Sequence, residues 1–237
     1  MLKVDEMDAV KNMFRGLLPV LRETLKNPQL VQTLKENYWF YGAAVLCSWV
    51  LAKYTGERFL FAFATFIYAS FVGYAGHAVV HYINFTEMYE QCTHPILKNQ
   101  VVTPFLSAAC RYLDFHDVIH HDTSINRQIP NALTEFVLNF MNQGGLLMGM
   151  IYVCRHMNMA VVFLWAFAYC TVHNINYDYL SPVAHQMHHK DKTTNYGIDI
   201  WDILIGTKHP GDPIEDINHY AINLCLITAG IVLYLTD

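Results

Sequence analysis

The chain predicts an all-α integral membrane protein, with about four transmembrane helices in two hairpins and a cytosolic cap of histidine-bearing helices. Three observations predict it. Apolar side chains make up 54% of the 237 residues and charged ones only 15%, whereas about a quarter of a soluble domain is charged. The apolar residues gather in runs at 38–52, 59–76, 136–154, 157–172 and 221–235. Lysine and arginine sort by side: Lys3, Lys11, Arg15, Arg22, Lys26, Lys35, Lys98, Arg111, Arg127, Lys190, Lys192 and Lys208 lie in the long polar segments, and only Lys53, Arg58 and Arg155 lie in the two short turns.

Taken in order, residues 1–37 form an N-terminal segment too charged for the apolar core of a signal peptide. Its Leu, Val, Met and Phe recur at roughly helical spacing, which suits an amphipathic helix lying on the membrane or packed on the rest of the protein. Residues 38–237 form the membrane domain. A spanning helix needs about 20 residues, with roughly 17 the lower bound, so the second and third runs qualify by length. Flanking Tyr, Trp and Asn residues extend the others. The turns YTGER (54–58) and CRHMN (154–158) are brief, which predicts hairpins. The last run, 221–235, either crosses or lies flat. A soluble helical bundle is the competing expectation, because Glu135, Asn139 and Gln143 interrupt the third run. The distribution of positive charge puts the N-terminus, both long polar segments and every clustered histidine on the cytosolic side.

The net charge of -5 gives no basic excess, so nothing points to nucleic acid. Cys47, Cys92, Cys110, Cys154, Cys170 and Cys225 form no CxxC pair and read as reduced, structural residues.

The histidines carry the chemistry. They fall as His77-Ala-Val-Val-His81, His116-Asp-Val-Ile-His120-His121, a single His173 in VHNINY, and His185-Gln-Met-His188-His189. Residues three or four apart share a helix face, so each cluster presents its imidazoles together. One such histidine alone reads as a satisfied polar residue; four clusters at ligand spacing read as metal. Structural zinc usually recruits Cys, and these clusters have none. Imidazole suits zinc, copper, iron and nickel alike. Nine nitrogens are too many for one ion and fit two, each with an open position. A redox-active pair at a membrane face suits attack on an unactivated C–H bond of a lipid.

These motifs, followed by Asn195-Tyr196-Gly197, Trp201-Asp202 and Gly206-Thr207, resemble the fatty acid hydroxylase/sterol desaturase superfamily of integral-membrane, non-haem di-iron oxygenases. The similarity spans about residues 70 to 207, and the block 173–207 is its most specific part. The resemblance implies a four-helix transmembrane domain, a lipid tunnel, two iron ions, O2, and electrons from a donor such as cytochrome b5 and its reductase. It implies His77, His81, His116, His120, His121, His173, His185, His188 and His189 as ligands. Asn176 or Tyr177 stands where some relatives keep another histidine. With Asp202, the best candidate to take a ligand's second N–H, they complete the expected surroundings. The implied activity is lipid hydroxylation, with acyl or sterol desaturation at the same site as the alternative, and an endoplasmic reticulum location in a eukaryotic host. Zinc can substitute in a purified sample, because imidazoles bind it more tightly than ferrous iron.

Two departures leave the branch of the superfamily open. Thirty-four residues (82–115) separate the first two boxes, and FVGYAGHAVVH lacks the Asp that often precedes the first. A reading of another class, a non-redox zinc-binding or transporting protein, is expected to place ionisable groups at mid-membrane depth. Among the remaining motifs, His94 reads as a surface loop residue more readily than a tenth ligand, His209-Pro210-Gly211 as a turn, and His156 and His219 as interfacial. Asp117, Asp122, Asp178 and Asp199 are further candidates around the metal. The Met-rich stretch 139–152, with Gly144-Gly145, fits either a tail tunnel or helix packing.

Overall fold

The computed structural model describes residues 26–116, 120–121, 128–145, 147–149 and 157–237. Residues 1–25 of the expected N-terminal amphipathic segment, Asp117, Asp122 and His156 lie outside these residues, as does Cys154. Helices are the only regular structure among the described residues.

Helix α1 (Pro28–Glu36) starts with the Asn27 side chain accepting from Gln29 N at 3.0 Å and with Pro28 in its first turn, where a missing N–H breaks no bond. Helix α2 (Tyr38–Thr55) ends at Gly56, whose φ of +73° continues the chain at no Cβ penalty. Three residues later α3 (Phe59–Tyr82) begins, so α2 and α3 form a helical hairpin. A second, smaller hairpin follows, made of α4 (Phe85–Gln91) and α5 (Val102–Leu113), which pack on each other. Its base is tied by Asp114, whose two carboxylate oxygens accept from Phe85 N at 2.9 Å and Thr86 N at 2.7 Å. Next come α6 (Ile129–Phe140), a wide turn at Met141–Gly145, and α7 (Met159–Thr171), which runs into a five-residue π-helical turn, Val172–Asn176. Short helices α8 (Tyr177–Leu180), α9 (Val183–Lys190) and α10 (Asp199–Ile205) precede the last apolar helix, α11 (Tyr220–Thr236).

Helix α7 is the centre of the bundle, packed against α3, α6 and α11 and more lightly against α2. Its Val161, Val162, Leu164 and Trp165 are buried, together with Leu51, Phe66 and Leu224 from its neighbours. The outside is apolar too: Leu46 and Trp49 on α2, Leu60 and Tyr68 on α3, and Ile222 and Leu226 on α11 are all exposed. A helix apolar on every side is either buried or set in lipid. Among the described residues, two helices are long and apolar enough to cross a membrane, Phe59–Tyr82 and Met159–Asn176.

These are the second and fourth apolar runs, where length alone favoured the second and third. The third run fails to make one straight helix because it breaks at 141–145. There Gln143 turns inward, accepting from Trp165 Nε1 at 3.2 Å and donating to the Gly73 carbonyl at 3.2 Å. A Cβ at Gly73 would overlap the Gln143 amide, and one at Gly76 would overlap Asn142. Glycine at both positions therefore lets the broken segment press onto α3. The fourth run gains length instead, because the π turn carries it on to Asn176.

Both long helices start at one polar tie. The Asn158 side chain donates to Thr55 Oγ1 at 2.8 Å and Glu57 Oε2 at 2.9 Å and accepts from Val161 N at 3.1 Å, while its backbone N–H donates to Thr65 Oγ1 at 3.3 Å. At the opposite end Asn37 accepts from Ile217 N at 2.8 Å and donates to the Glu215 carbonyl at 2.9 Å, so the segment before α11 is stapled to the start of α2. Five cysteines, Cys47, Cys92, Cys110, Cys170 and Cys225, are free thiols.

Replacing Gly73 with Val is expected to displace Gln143 and destabilise the fold by about 1–3 kcal/mol, the usual effect of overpacking. Thermal unfolding of detergent-solubilised protein measures it. Adding Gln143→Ala to that variant should restore part of the lost midpoint, and no recovery would mean the clash lies elsewhere.

Candidate metal centre

Every histidine of the four clusters sits at one end of the bundle. His77 and His81 occupy the last turns of α3, one helical turn apart; His173 lies in the π turn after α7; His185, His188 and His189 lie on α9. His116, His120 and His121 follow α5. Because α3 and α7 both begin at Asn158, both deliver their histidines to the same end.

The imidazoles form overlapping groups whose candidate ligand atoms lie within 4.8 Å of one another: His77, His81, His116 and His188; His116, His120 and His121; His120, His185 and His189; and His120, Glu135 and His173. All nine expected histidines are brought together. Two pairs of Nε2 atoms nearly touch, His77 with His116 at 2.8 Å and His185 with His189 at 3.1 Å. The rings of His121 stand 4.9 Å from His81 and 4.6 Å from His189, between the two pairs.

What holds the rings is backbone. The Tyr196 carbonyl lies 2.5 Å from His77 Nδ1, and the Thr194 carbonyl lies 2.7 Å from His188 Nδ1. A carbonyl only accepts, so both Nδ1 atoms carry the proton and both Nε2 atoms keep a lone pair. The loop 194–197 is fixed in turn by Asp202, fully buried, whose Oδ1 accepts from Tyr196 N at 2.9 Å and Thr207 Oγ1 at 2.7 Å and whose Oδ2 accepts from Gly197 N at 3.0 Å. Tyr74, on α3, closes the circuit through a 2.8 Å hydrogen bond between its hydroxyl and Thr207 Oγ1. Gly197 sits where a Cβ would press on the Tyr74 ring. Burial raises the Asp202 carboxyl to about 6, against the pull of its donors Thr207, Gly197 and Tyr196.

The donor set fits metal. Two nitrogens each about 2.1 Å from one ion lie about 3.0 Å apart at a right angle and about 4.2 Å apart when opposite. The two Nε2 pairs fall near the first figure. Buried ring nitrogens of His121, His188 and His189 have no hydrogen-bond partner among the described residues, and each such group left unsatisfied costs about 1–3 kcal/mol. Burial depresses the pKa of His116, His120 and His185 well below 6.5, and that of His188 to about 3. The rings are therefore neutral at pH 7, the state in which imidazole ligates.

Other expected residues take other places. Tyr177 packs its ring 4.8 Å from His185 and 5.7 Å from His173. Asn176 donates to Asn223 on α11 at 3.1 Å, which spends its side chain on helix packing. Asp199 pairs with Lys208 at 2.7 Å and accepts from Glu215 N at 2.8 Å, away from the rings. The Asp178 side chain is outside the described residues. His94 is exposed in the hairpin loop and joins none of the groups. His209 caps a turn with Asp212 at 3.1 Å, and His219 is half-buried beside Tyr177. Gly144 packs against Val162 and Ala166, as helix packing requires.

Sequence reasoning missed Glu135, the two carbonyls and Glu215. Glu135 was legible as a carboxylate beside an apolar run, a placement that marks function by default. The carbonyls leave no trace in residue type. Glu215 borders a small cavity of about 20 Å³ behind the rings, between Tyr169, Tyr177 and Tyr220.

Burial holds the Glu215 carboxyl at about 8, although a Tyr177 hydrogen bond opposes the shift. Between its ordinary value of 4.5 and about 8 the folded protein keeps a proton that the unfolded chain releases, so this group's contribution to stability falls as pH rises through that window. Glu215→Gln should melt with wild type at pH 4 and above it at pH 8.5. Asp202→Asn should lower metal affinity about 10–100-fold, as loss of an outer carboxylate does, read by equilibrium dialysis against zinc.

Comparison with protein-family models, with curated proteins and with solved structures finds no match.

Proposed function

We propose that this protein is a membrane-embedded, O2-dependent di-iron lipid hydroxylase. One observation carries the reading: nine imidazoles, split around two close Nε2 pairs, converge at one end of a bundle that is apolar inside and out. Four segments would cross the bilayer in two hairpins, α2 with α3 and the broken third run with α7, because α3 and α7 both start at the Asn158 end and the chain has to return there between them; α11 packs on α2 and α7. The sorting of Lys and Arg would place the histidine end and the N-terminus in the cytosol, at the endoplasmic reticulum in a eukaryotic host. There a soluble donor such as cytochrome b5, supplied by its reductase, has access.

His77, His81, His116 and His188 would hold one ion, and His120, His173, His185 and His189 the other, with His121 between them. When bound, iron supplies the O2-derived oxidant that an unactivated C–H bond requires. The protein's own residues do the rest. The carbonyls of Thr194 and Tyr196 fix two ring tautomers, and Asp202 keeps that loop in place. A cavity of about 780 Å³ opens at His81, between the end of α3 and the α4–α5 hairpin, lined by Val80, Ile83, Glu87, Arg111 and Phe115. It gives a fatty acyl, sphingoid or sterol substrate a route to the rings. Val80, Ile83 and Phe115 would meet a lipid's chain and Glu87, Glu90 and Arg111 its polar head, and no side chain is needed as a general base.

Desaturation by the same site is the second reading. A zinc carrier fits less well, since the clusters stand at helix ends and beyond them, where a carrier needs ligands at mid-membrane depth.

Cells expressing the wild type should contain a lipid heavier by one oxygen that is absent with His188→Ala, as total-lipid mass spectrometry reads. A species lighter by two hydrogens assigns the desaturase, and identical profiles in the two cell lines count against an oxygenase of either kind.

A further inference from the structure

We propose that Glu135 is a metal-facing carboxylate, so that the second ion's site mixes imidazole and carboxylate. The proposal deepens the di-metal reading above and rests on it.

The placement of Glu135 is the first support. It and Asn139 are the buried residues of α6, whose Ile129, Leu133 and Val137 are exposed. This helix buries its polar face and turns its apolar one outward, the reverse of a helix on a water-soluble core. The two polar residues are four apart, on one face, and the Asn139 amide links Glu135 Oε1 at 3.4 Å to Asn174 Oδ1 at 3.4 Å, beside His173 in the π turn.

Geometry is the second support. Glu135 Oε1 lies 2.5 Å from His120 Nδ1. The same oxygen faces His173 Nε2 across 3.7 Å, and that nitrogen has no hydrogen-bond partner among the described residues. The gap is too wide for a hydrogen bond. It suits two ligand atoms on one ion, which stand between about 3.0 and 4.2 Å apart. Glu135, His120 and His173, all buried, form one group whose candidate ligand atoms lie within 4.8 Å of one another. The first site, around His77 and His188, has no carboxylate in its group among the described residues. The two ions would therefore differ in affinity and in the charge of their surroundings.

The test is metal binding by the purified, metal-stripped full-length protein, titrated with Co2+ and followed by visible absorption and by metal analysis. Wild type should take up two ions per chain. Glu135→Gln, which keeps the side chain's shape but removes the charge, should bind the first ion as wild type does and the second at least about tenfold more weakly. Glu135→Ala should do the same, and His188→Ala should weaken the first ion and spare the second. If Glu135→Gln binds both ions as wild type does, ligation by the carboxylate is overturned; if Glu135→Ala alone fails, Glu135 only positions His120. A wild type that binds no ion overturns the di-metal reading itself, and this proposal with it.

Discussion

Nine imidazoles packed at the end of an apolar bundle impose one constraint on everything around them. Each ring has two nitrogens, and burial away from water obliges each to find a partner. The fold meets this by dividing the nitrogens: the outer ones of His77 and His188 go to backbone carbonyls and that of His120 stands beside a carboxylate, while the Nε2 atoms of His77 and His116 face each other. The loop 194–197 can offer its carbonyls inward only because its N–H groups are taken up behind it by Asp202. The order of support runs from Asp202 through the loop to the rings, and Tyr74 ties it back to the helix that carries His77.

The bundle depends on similar economy. In a low-dielectric interior the amide of Gln143 is tolerated because it bonds Trp165 and the Gly73 carbonyl at once. Small residues permit that approach, as they do wherever helices pack closely in lipid. The same contact that breaks the third apolar run thus joins three segments of the chain.

Much of this could be read from residue types. Pairs of histidines at helical spacing and the apolar runs follow from period and composition, and the structure brings the nine histidines together; the WD pair at 201–202 stood out only through the family resemblance. Other parts could not. A run of apolar residues looks alike whether it is straight or kinked, so the turn at 141–145 and the extension of α7 through its π turn were hidden. Backbone carbonyls have no letter of their own, and Glu135 read as an interruption because its partners lie far along the chain. The separation of the first two boxes read as a departure; it is a helical hairpin with its own base, clamped by Asp114.

The Asn158 tie sets a common origin for α3 and α7, and a helix is a ruler with about 1.5 Å and about 100° per residue. Eighteen steps along α3 separate Phe59 from His77, and fourteen along the other helix separate Met159 from His173. Ring height and ring azimuth are therefore counted out in whole residues from a shared zero. Side-chain exchanges along either helix leave that count untouched, whereas a single inserted or deleted residue would swing the imidazoles beyond it by more than a quarter of a turn. Evolution can retexture the outer surface of these two helices freely while their lengths stay locked to each other.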